Sequence, residues 1–553
     1  MAFFFTLRPS TSSSPFSIKL SHIRTIKIHN HHHKISCKCA NNDQESPSLD
    51  IKFDRRNMLC IGLGGLYNAA TLASSPFATA TPIPPPNINE CTPTVIPNST
   101  STTNCCPPTT TEIIDFKLPP FTTMSVRPAA HLVDEAYISK YNKAIELMRA
   151  LPGDDPRNFM QQANVHCTYC VEGYHQPGSP NLEIQIHQSW LFYPWHRYYL
   201  YFFEKICQKL IDDPTFALPF WNWDSRQGMT IPSMYTNINS ALYDRNRDKD
   251  HMPPAVVDFN YNGTDSNVCP YKQMETNLKI MYRNMVSNSK TPKLFLGSAY
   301  RLGDEPNPGG GFYSAARDPL FFAHHGNVDR MWSIWKTLGG RRHDISDPDF
   351  LDASFLFYDE NAKLVRVNVK DCLDEKKLGY VYADVEIPWL NSRPKPGVSS
   401  VLRKLGKAKA TEIITIRSPE EVLPSKLDKV LKVMVKRPKK KSMKEKDEVE
   451  EVLVIRGIEL EKDVYAKFDV YINDNDDMST PENTEFGGSF VNVPHGGYTR
   501  HGQKKFKTQL RLSITDILED LDAEDDDHVL VTLIPTSAGD DIKIDEIKIE
   551  LDD

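Results

Sequence analysis

At 553 residues the chain is long enough for more than one domain, and its 40 prolines point to extensive loops and connections. A formal net charge of −7, with ordinary apolar and charged fractions, excludes a partner such as nucleic acid held by overall basic charge. Eleven cysteines are present; three of them, Cys37, Cys39 and Cys60, fall in the leader read below, and spacing leaves the pairing of the other eight open.

Residues 1–42 hold no acidic side chain and carry Ser, Thr, Lys and Arg throughout, the composition of an organelle transit peptide. His31, His32 and His33 are read with that leader rather than as a metal site. Arg55-Arg56 then precedes an apolar, Gly- and Ala-rich run over 58–73, and Ala78-Thr79-Ala80 fits a small-residue cleavage site. The run is too short to span a membrane, and a twin-arginine pair before an apolar core reads as export of a folded protein. The tandem arrangement predicts a chloroplast transit peptide over 1–53 and a twin-arginine thylakoid signal over 54–80. The mature chain then starts near Thr81 in the thylakoid lumen, soluble once the signals are removed.

Residues 81–128 are rich in Pro, Thr and Ser, a segment that needs pinning; disulfides through Cys91, Cys105 and Cys106 would pin it. Helical spacing marks 133–151, where Tyr137, Tyr141, Ala144, Leu147 and Leu151 form a stripe. Asp154-Asp155-Pro156 reads as the start of a helix that carries His166. His187 and His196 lie nine residues apart, about two and a half helical turns, so one helix cannot present both on one face. Pro194 is tolerated only in a first turn. This predicts a helix from about Pro194 to Leu210, with His196, Leu200, Phe203, Glu204 and Cys207 inward and His187 on the preceding loop. Two helix imidazoles and one loop imidazole can converge on an ion, and imidazole suits zinc, copper, iron and nickel alike. His175, in a Gly-Tyr-His-Gln-Pro-Gly turn, is read as a solvated loop residue. A further helix is predicted over 273–286. Another opens at Asp318-Pro319 and runs to Trp335, with His324 and His325 about 100° apart around its axis and Asp329 one turn beyond His325 as a partner for it. Residues 378–387 read as extended. The basic run 436–446 reads as a solvated linker. From Val452 onward the period changes to two, giving strands over 452–455, 466–472, 489–493, 510–514, 529–534 and 542–551, with 519–527 an acidic loop. The predicted fold is a mainly α helical-bundle domain over 81–390, a linker over 391–450 and an all-β domain over 451–553.

These motifs together resemble the plant polyphenol oxidases (catechol oxidases) of the tyrosinase and haemocyanin copper-protein group. The resemblance rests on the tandem signals, the stretch His166 to Glu204 with Phe192-Tyr193-Pro194-Trp195-His196-Arg197, the stretch Asp318 to Asp329, Asp349-Phe350-Leu351, Tyr380-Val381-Tyr382 and Lys467-Phe468-Asp469-Val470. Tyr193 stands where phenylalanine is more usual. The resemblance implies a pair of coppers, each held by three histidines, and oxidation of o-diphenols to o-quinones with dioxygen reduced to water. It implies His166, His187 and His196 as ligands of copper A, a Cys170–His187 thioether, and disulfides Cys91–Cys106 and Cys105–Cys167. It also implies His325 as a copper B ligand with His324 lining the site, Phe312 as an aromatic gate, and a C-terminal domain covering the active-site mouth.

One part of the pattern is missing. The family's other two copper B ligands come from a His-x-x-x-His pair ahead of the gate, whereas here Asn307-Pro308-Gly309-Gly310-Gly311 runs directly into Phe312, and no histidine occurs between His251 and His324. His251 matches a non-ligand stretch. The family's water-orienting glutamate is absent too. The alternative expectation is therefore a non-catalytic or one-copper relative. An oxygen carrier is disfavoured by the plastid signals, and a zinc hydrolase, allowed by three histidines alone, is disfavoured by the Cys170 and Phe312 context.

Overall fold

In the computed structural model the described residues are 81–95, 101–110, 112–120, 123–171, 173–264, 268–305, 313–397, 416–438, 449–474, 478–494 and 505–552. The leader 1–80 and Phe312 lie outside them, as does most of the basic run. No described helix is long and apolar enough to cross a membrane.

Among the described residues, five helices of twelve or more residues form the first core: α1 (Glu135–Ala150), α2 (Phe159–Cys170), α3 (Phe192–Leu210), α4 (Pro270–Tyr282) and α5 (Leu320–Thr337). Asp134 caps α1 by accepting from the Tyr137 amide. The start expected at Asp154-Asp155-Pro156 is corrected: Asn158 caps α2 by accepting from the Met160 amide. Asp155 is engaged one turn earlier, pairing with Arg157 at 2.7 Å. Helix α3 begins two residues ahead of Pro194, which stays within the first turn, where its missing N–H costs nothing. The expected inner face of α3 is buried, but so are 15 of its 19 residues. It is therefore the central helix of the core rather than an amphipathic surface helix. Helix α4 continues into a π-helical turn, Arg283–Ser287.

The expectation that Asp329 backs His325 is also corrected. Its Oδ1 accepts from Arg197 Nε at 2.6 Å, and its Oδ2 accepts from the hydroxyls of Tyr380 and Tyr382 at 2.5 Å each. Arg127 approaches the same carboxylate at 3.6 Å and pairs with Glu204 at 3.0 Å. Burial alone would raise the Asp329 pKa, but the charges of Arg197 and Arg127 hold it below the usual carboxylate value. The tyrosines come from a short strand, β4 (Tyr380–Tyr382), paired in parallel with β1 (Ser125–Arg127); β2 (Ser354–Tyr358) and β3 (Leu364–Asn368) pair antiparallel between them in sequence. The network ties α3 to α5, the two helices that carry His196 and His325.

The Cys91–Cys106 disulfide closes a loop within the proline-rich arm, and Cys105–Cys167 joins the arm to α2. Cys105–Cys167 closes a sequence separation of 62 residues, and restricting the unfolded chain over such a loop is worth about 4 kcal/mol. The Cys105→Ser/Cys167→Ser double variant is expected to lose most of that in urea unfolding. An unchanged midpoint would show that the staple contributes nothing.

The second core is a β-sandwich. One sheet runs β5 (Ser425–Lys426), β12 (Lys543–Ile544), β7 (Glu450–Glu461) and β10 (Lys505–Ser513), with β13 (Glu546–Asp552) also on β7. The other runs β6 (Leu431–Lys436), β11 (His528–Ser537), β8 (Ala466–Ile472) and β9 (Phe486–Asn492). Leu453 and Ile455 of the first sheet and Phe468, Val470 and Val531 of the second share one apolar cluster. Residues 391–450, expected to be linker alone, thus contribute two strands. The acidic stretch is partly helical, because Thr515–Asp520 forms a short helix; Asp520 pairs with Arg393 at 2.8 Å. The sandwich lies against the helical core through Asn288 Nδ2 donating to the Gly487 carbonyl at 2.9 Å and Arg283 donating to the Asn483 carbonyl at 2.8 Å. A cavity of about 680 Å³ between the two cores reaches His187 and Phe192 on one side and Gly488–Val491 on the other.

Candidate metal centre

His166 comes from the middle of α2, His196 from the second turn of α3, and His187 from the loop just before α3. One ring nitrogen from each lies within 4.8 Å of the others, and this is the one such histidine group among the described residues. All three are buried, with 1%, 4% and 2% exposure for His166, His187 and His196.

The surroundings aim the rings. His196 uses Nδ1 on the Phe192 carbonyl at 2.8 Å, leaving Nε2 buried and without a partner. The Gln185 side chain holds His187: its Oε1 accepts from the His187 amide and lies 3.0 Å from the ring Nδ1, while its Nε2 donates to the Cys170 carbonyl at 2.9 Å. The loop turns through Gln188 in the left-handed region, at φ 55°, and Ser189 Oγ donates to the Ile186 carbonyl at 3.1 Å. Both ring nitrogens of His166 are buried with no hydrogen-bond partner. An unpaired buried polar group costs about 1–3 kcal/mol, and an ion at the convergence of the three rings would offset that cost. The residues fit a metal.

Burial lowers the His187 pKa to about 3, and burial together with the neighbouring imidazoles lowers those of His166 and His196 well below 6.5. All three rings are thus neutral at neutral pH, the form in which an imidazole can bind a metal. The sign of the linkage follows. In the metal-free protein the unfolded chain takes up protons below about pH 6.5 that the folded site refuses, so stability falls as pH drops from that value toward the native pKa values. Melting of the metal-free protein is expected to fall through this window, and the fall should change on metal loading because the ion competes with protons for the same nitrogens. A flat profile from pH 7 to pH 4 would contradict the burial of these rings.

The second half of the expected pair is different. His325, on α5 and 5% exposed, stacks on His196 with ring centroids 4.1 Å apart and planes 3° from parallel. Phe321 packs against it at 4.3 Å and Phe192 at 5.9 Å. His324 turns away, its ring at 77° to that of His325 and 6.0 Å from Trp223. His251 lies within 3.9 Å of Asp248 and packs on Tyr261, outside the histidine group. His175 sits half-buried in a two-residue strand, not in a solvated turn. One imidazole walled by aromatic rings does not fit a second copper. Cys170 is a buried free cysteine. Sequence reasoning missed Gln185 and Phe321, the residues that orient His187 and wall His166; a polar side chain two residues before a loop ligand was the available signal.

The common central domain of tyrosinase matches residues 156–304 and 294–338, two segments that overlap over 294–304. The polyphenol oxidase middle domain matches 344–395, and the chloroplastic polyphenol oxidase C-terminal domain matches 423–551. The chain is 55% identical to the chloroplastic polyphenol oxidase of Malus domestica, covering 94% of this chain and 92% of that one. It is 57% identical to aureusidin synthase of Antirrhinum majus, covering 94% and 98%. It is 45% identical to (+)-larreatricin hydroxylase of Larrea tridentata, covering 94% of each. The Malus domestica alignment spans 557 positions while covering only part of this 553-residue chain, so that relative carries residues with no counterpart here. Among solved structures, latent apple tyrosinase superposes with a TM-score of 0.74 at 55% identity, over 80% of this chain and all of that one. Latent aurone synthase superposes with a TM-score of 0.79 at 38% identity, over 85% and 99%.

Proposed function

We propose that this chain, which belongs to the plant polyphenol oxidase family of tyrosinase-type copper oxidoreductases, oxidises o-diphenols to o-quinones and passes the electrons to dioxygen, which is reduced to water. The observation that carries this reading is the buried His166–His187–His196 triad, with unpartnered ring nitrogens on His166 and His196, inside the fold shared with those relatives. Copper, when bound, supplies an electron store that cycles between Cu(II) and Cu(I). The chain's own residues do the rest. Three neutral imidazoles hold the ion without first having to release protons at neutral pH, and Phe192 and Phe321 pack on them and limit water. Gln185, which touches both the Cys170 backbone and the His187 ring, supports a Cys170–His187 thioether that would lock the loop ligand. Phe312 is assigned as the aromatic gate. The relatives' names place them in the chloroplast, and the tandem leader supports the thylakoid lumen as the final compartment.

The test is oxygen uptake and quinone formation from 4-methylcatechol by the copper-loaded full chain. Turnover above that of free copper supports the reading; none sinks it. A second reading, a relative that binds one copper or none and does not turn over, is favoured by the missing histidine pair ahead of Phe312. The same assay separates the two.

A further inference from the structure

We infer that this chain holds a single copper ion, on His166, His187 and His196, and that His325 serves as an aromatic cover stacked on His196 rather than as a metal ligand. This rests on the copper-oxidoreductase reading above and departs from the paired centre of the family.

The argument is geometric. An imidazole binds a metal in the plane of its ring, at about 2 Å from the nitrogen. The rings of His196 and His325 are parallel within 3°, with centroids 4.1 Å apart, so an ion in the plane of His196 lies out of the plane of His325 by a stacking distance. The two cannot share one ion. His325 would need an ion of its own, and among the described residues it joins no group of three ligating side chains. Phe321 covers it on one side at 4.3 Å, and its Nδ1 is buried without a hydrogen-bond partner. The sequence between His251 and His324 holds no histidine, and the described residues contain no second group of three metal-ligating side chains. A lone imidazole against three is a large deficit in affinity, so copper fills the triad and goes no further.

The electron count changes accordingly. A diphenol going to a quinone releases two electrons and two protons, and one Cu(II) going to Cu(I) accepts one electron. Without oxygen, two chains are needed to form one quinone, whereas a chain with a copper pair forms one by itself. Dioxygen going to two waters takes four electrons and four protons, so four chains, or four successive reductions of one chain, stand behind each molecule consumed.

The full chain, loaded with excess copper(II) and desalted, is to be assayed for copper by elemental analysis and for spin by EPR. One copper per chain with one full spin is expected, because an isolated Cu(II) keeps its signal while two bridged Cu(II) ions couple and lose it. Anaerobic 4-methylcatechol should then yield one quinone per two chains. His325→Phe, which keeps the stacked ring, should retain the copper content and leave the EPR spectrum nearly unaltered. Two coppers per chain with a suppressed signal, no copper at all, or loss of copper in His325→Phe would each overturn the inference. One copper with full spin but no quinone would leave the inference standing and overturn the proposed oxidase function instead, so the two failures are distinguishable.

Discussion

Replacing His196 by alanine is expected to weaken copper binding by more than about 100-fold, the upper end of what loss of an outer-shell partner alone costs. Three features concentrate the effect there. The ring is fixed by the Phe192 carbonyl, so Nε2 is aimed before any ion arrives. It lies against both partners of the triad, 5.7 Å from His166 and 5.4 Å from His187 between centroids. Its neighbour His325 stacks face to face and cannot swing into its place without leaving the Phe321 contact. Isothermal titration with copper, against His175→Ala as a control histidine outside the group, checks this. Equal affinities for the two variants would remove His196 from the centre. Far-ultraviolet circular dichroism should stay native, because the loss is of a ligand and not of the α3 backbone.

The second large effect is expected at Asp329. Its carboxylate is buried between Arg197 and the two tyrosines of β4, with side-chain exposure of 0% for Arg197 and 1% for Asp329. Asp329→Asn keeps the size but removes the nearer counter-charge of the buried Arg197, leaving only Glu375 at 3.8 Å. Breaking one side of a buried pair costs roughly 3–5 kcal/mol, a large share of a typical domain's stability. Urea unfolding of the copper-loaded chain measures it. Tyr380→Phe, which removes one hydrogen bond and no charge, should cost no more than about 1–3 kcal/mol. If the two variants shift the midpoint equally, charge is not what the network contributes. The pH dependence has a defined sign. Because the native carboxyl sits below its ordinary value, its contribution is intact above that value and fades as pH falls through the native one.

The triad was legible because chain-local facts converge on it. His196 follows His187 by nine positions, and Pro194 between them limits where a helix can begin. The strand Ala466–Ile472 was legible for a similar reason, since period-two alternation is a property of one segment. The α2 cap was not, because Asp155 and Asn158 are both good capping residues and only the Arg157 ion pair takes the former out of contention. Nor was β6 visible as part of the sandwich. Its lysines read as linker, and its pairing partner β11 lies more than ninety positions away.

By itself the sequence determined which residue types were available: three histidines on elements that can meet, eight cysteines outside the leader, and no histidine between positions 252 and 323. The tertiary structure decided what those residues face. Helical spacing placed Asp329 under His325, yet Tyr380 and Tyr382, more than fifty residues away, claim it. Spacing along a helix specifies a direction from the axis and carries no information about which other element packs there. That is why spacing along its own helix gave no sign that His325 stacks on the His196 ring of another.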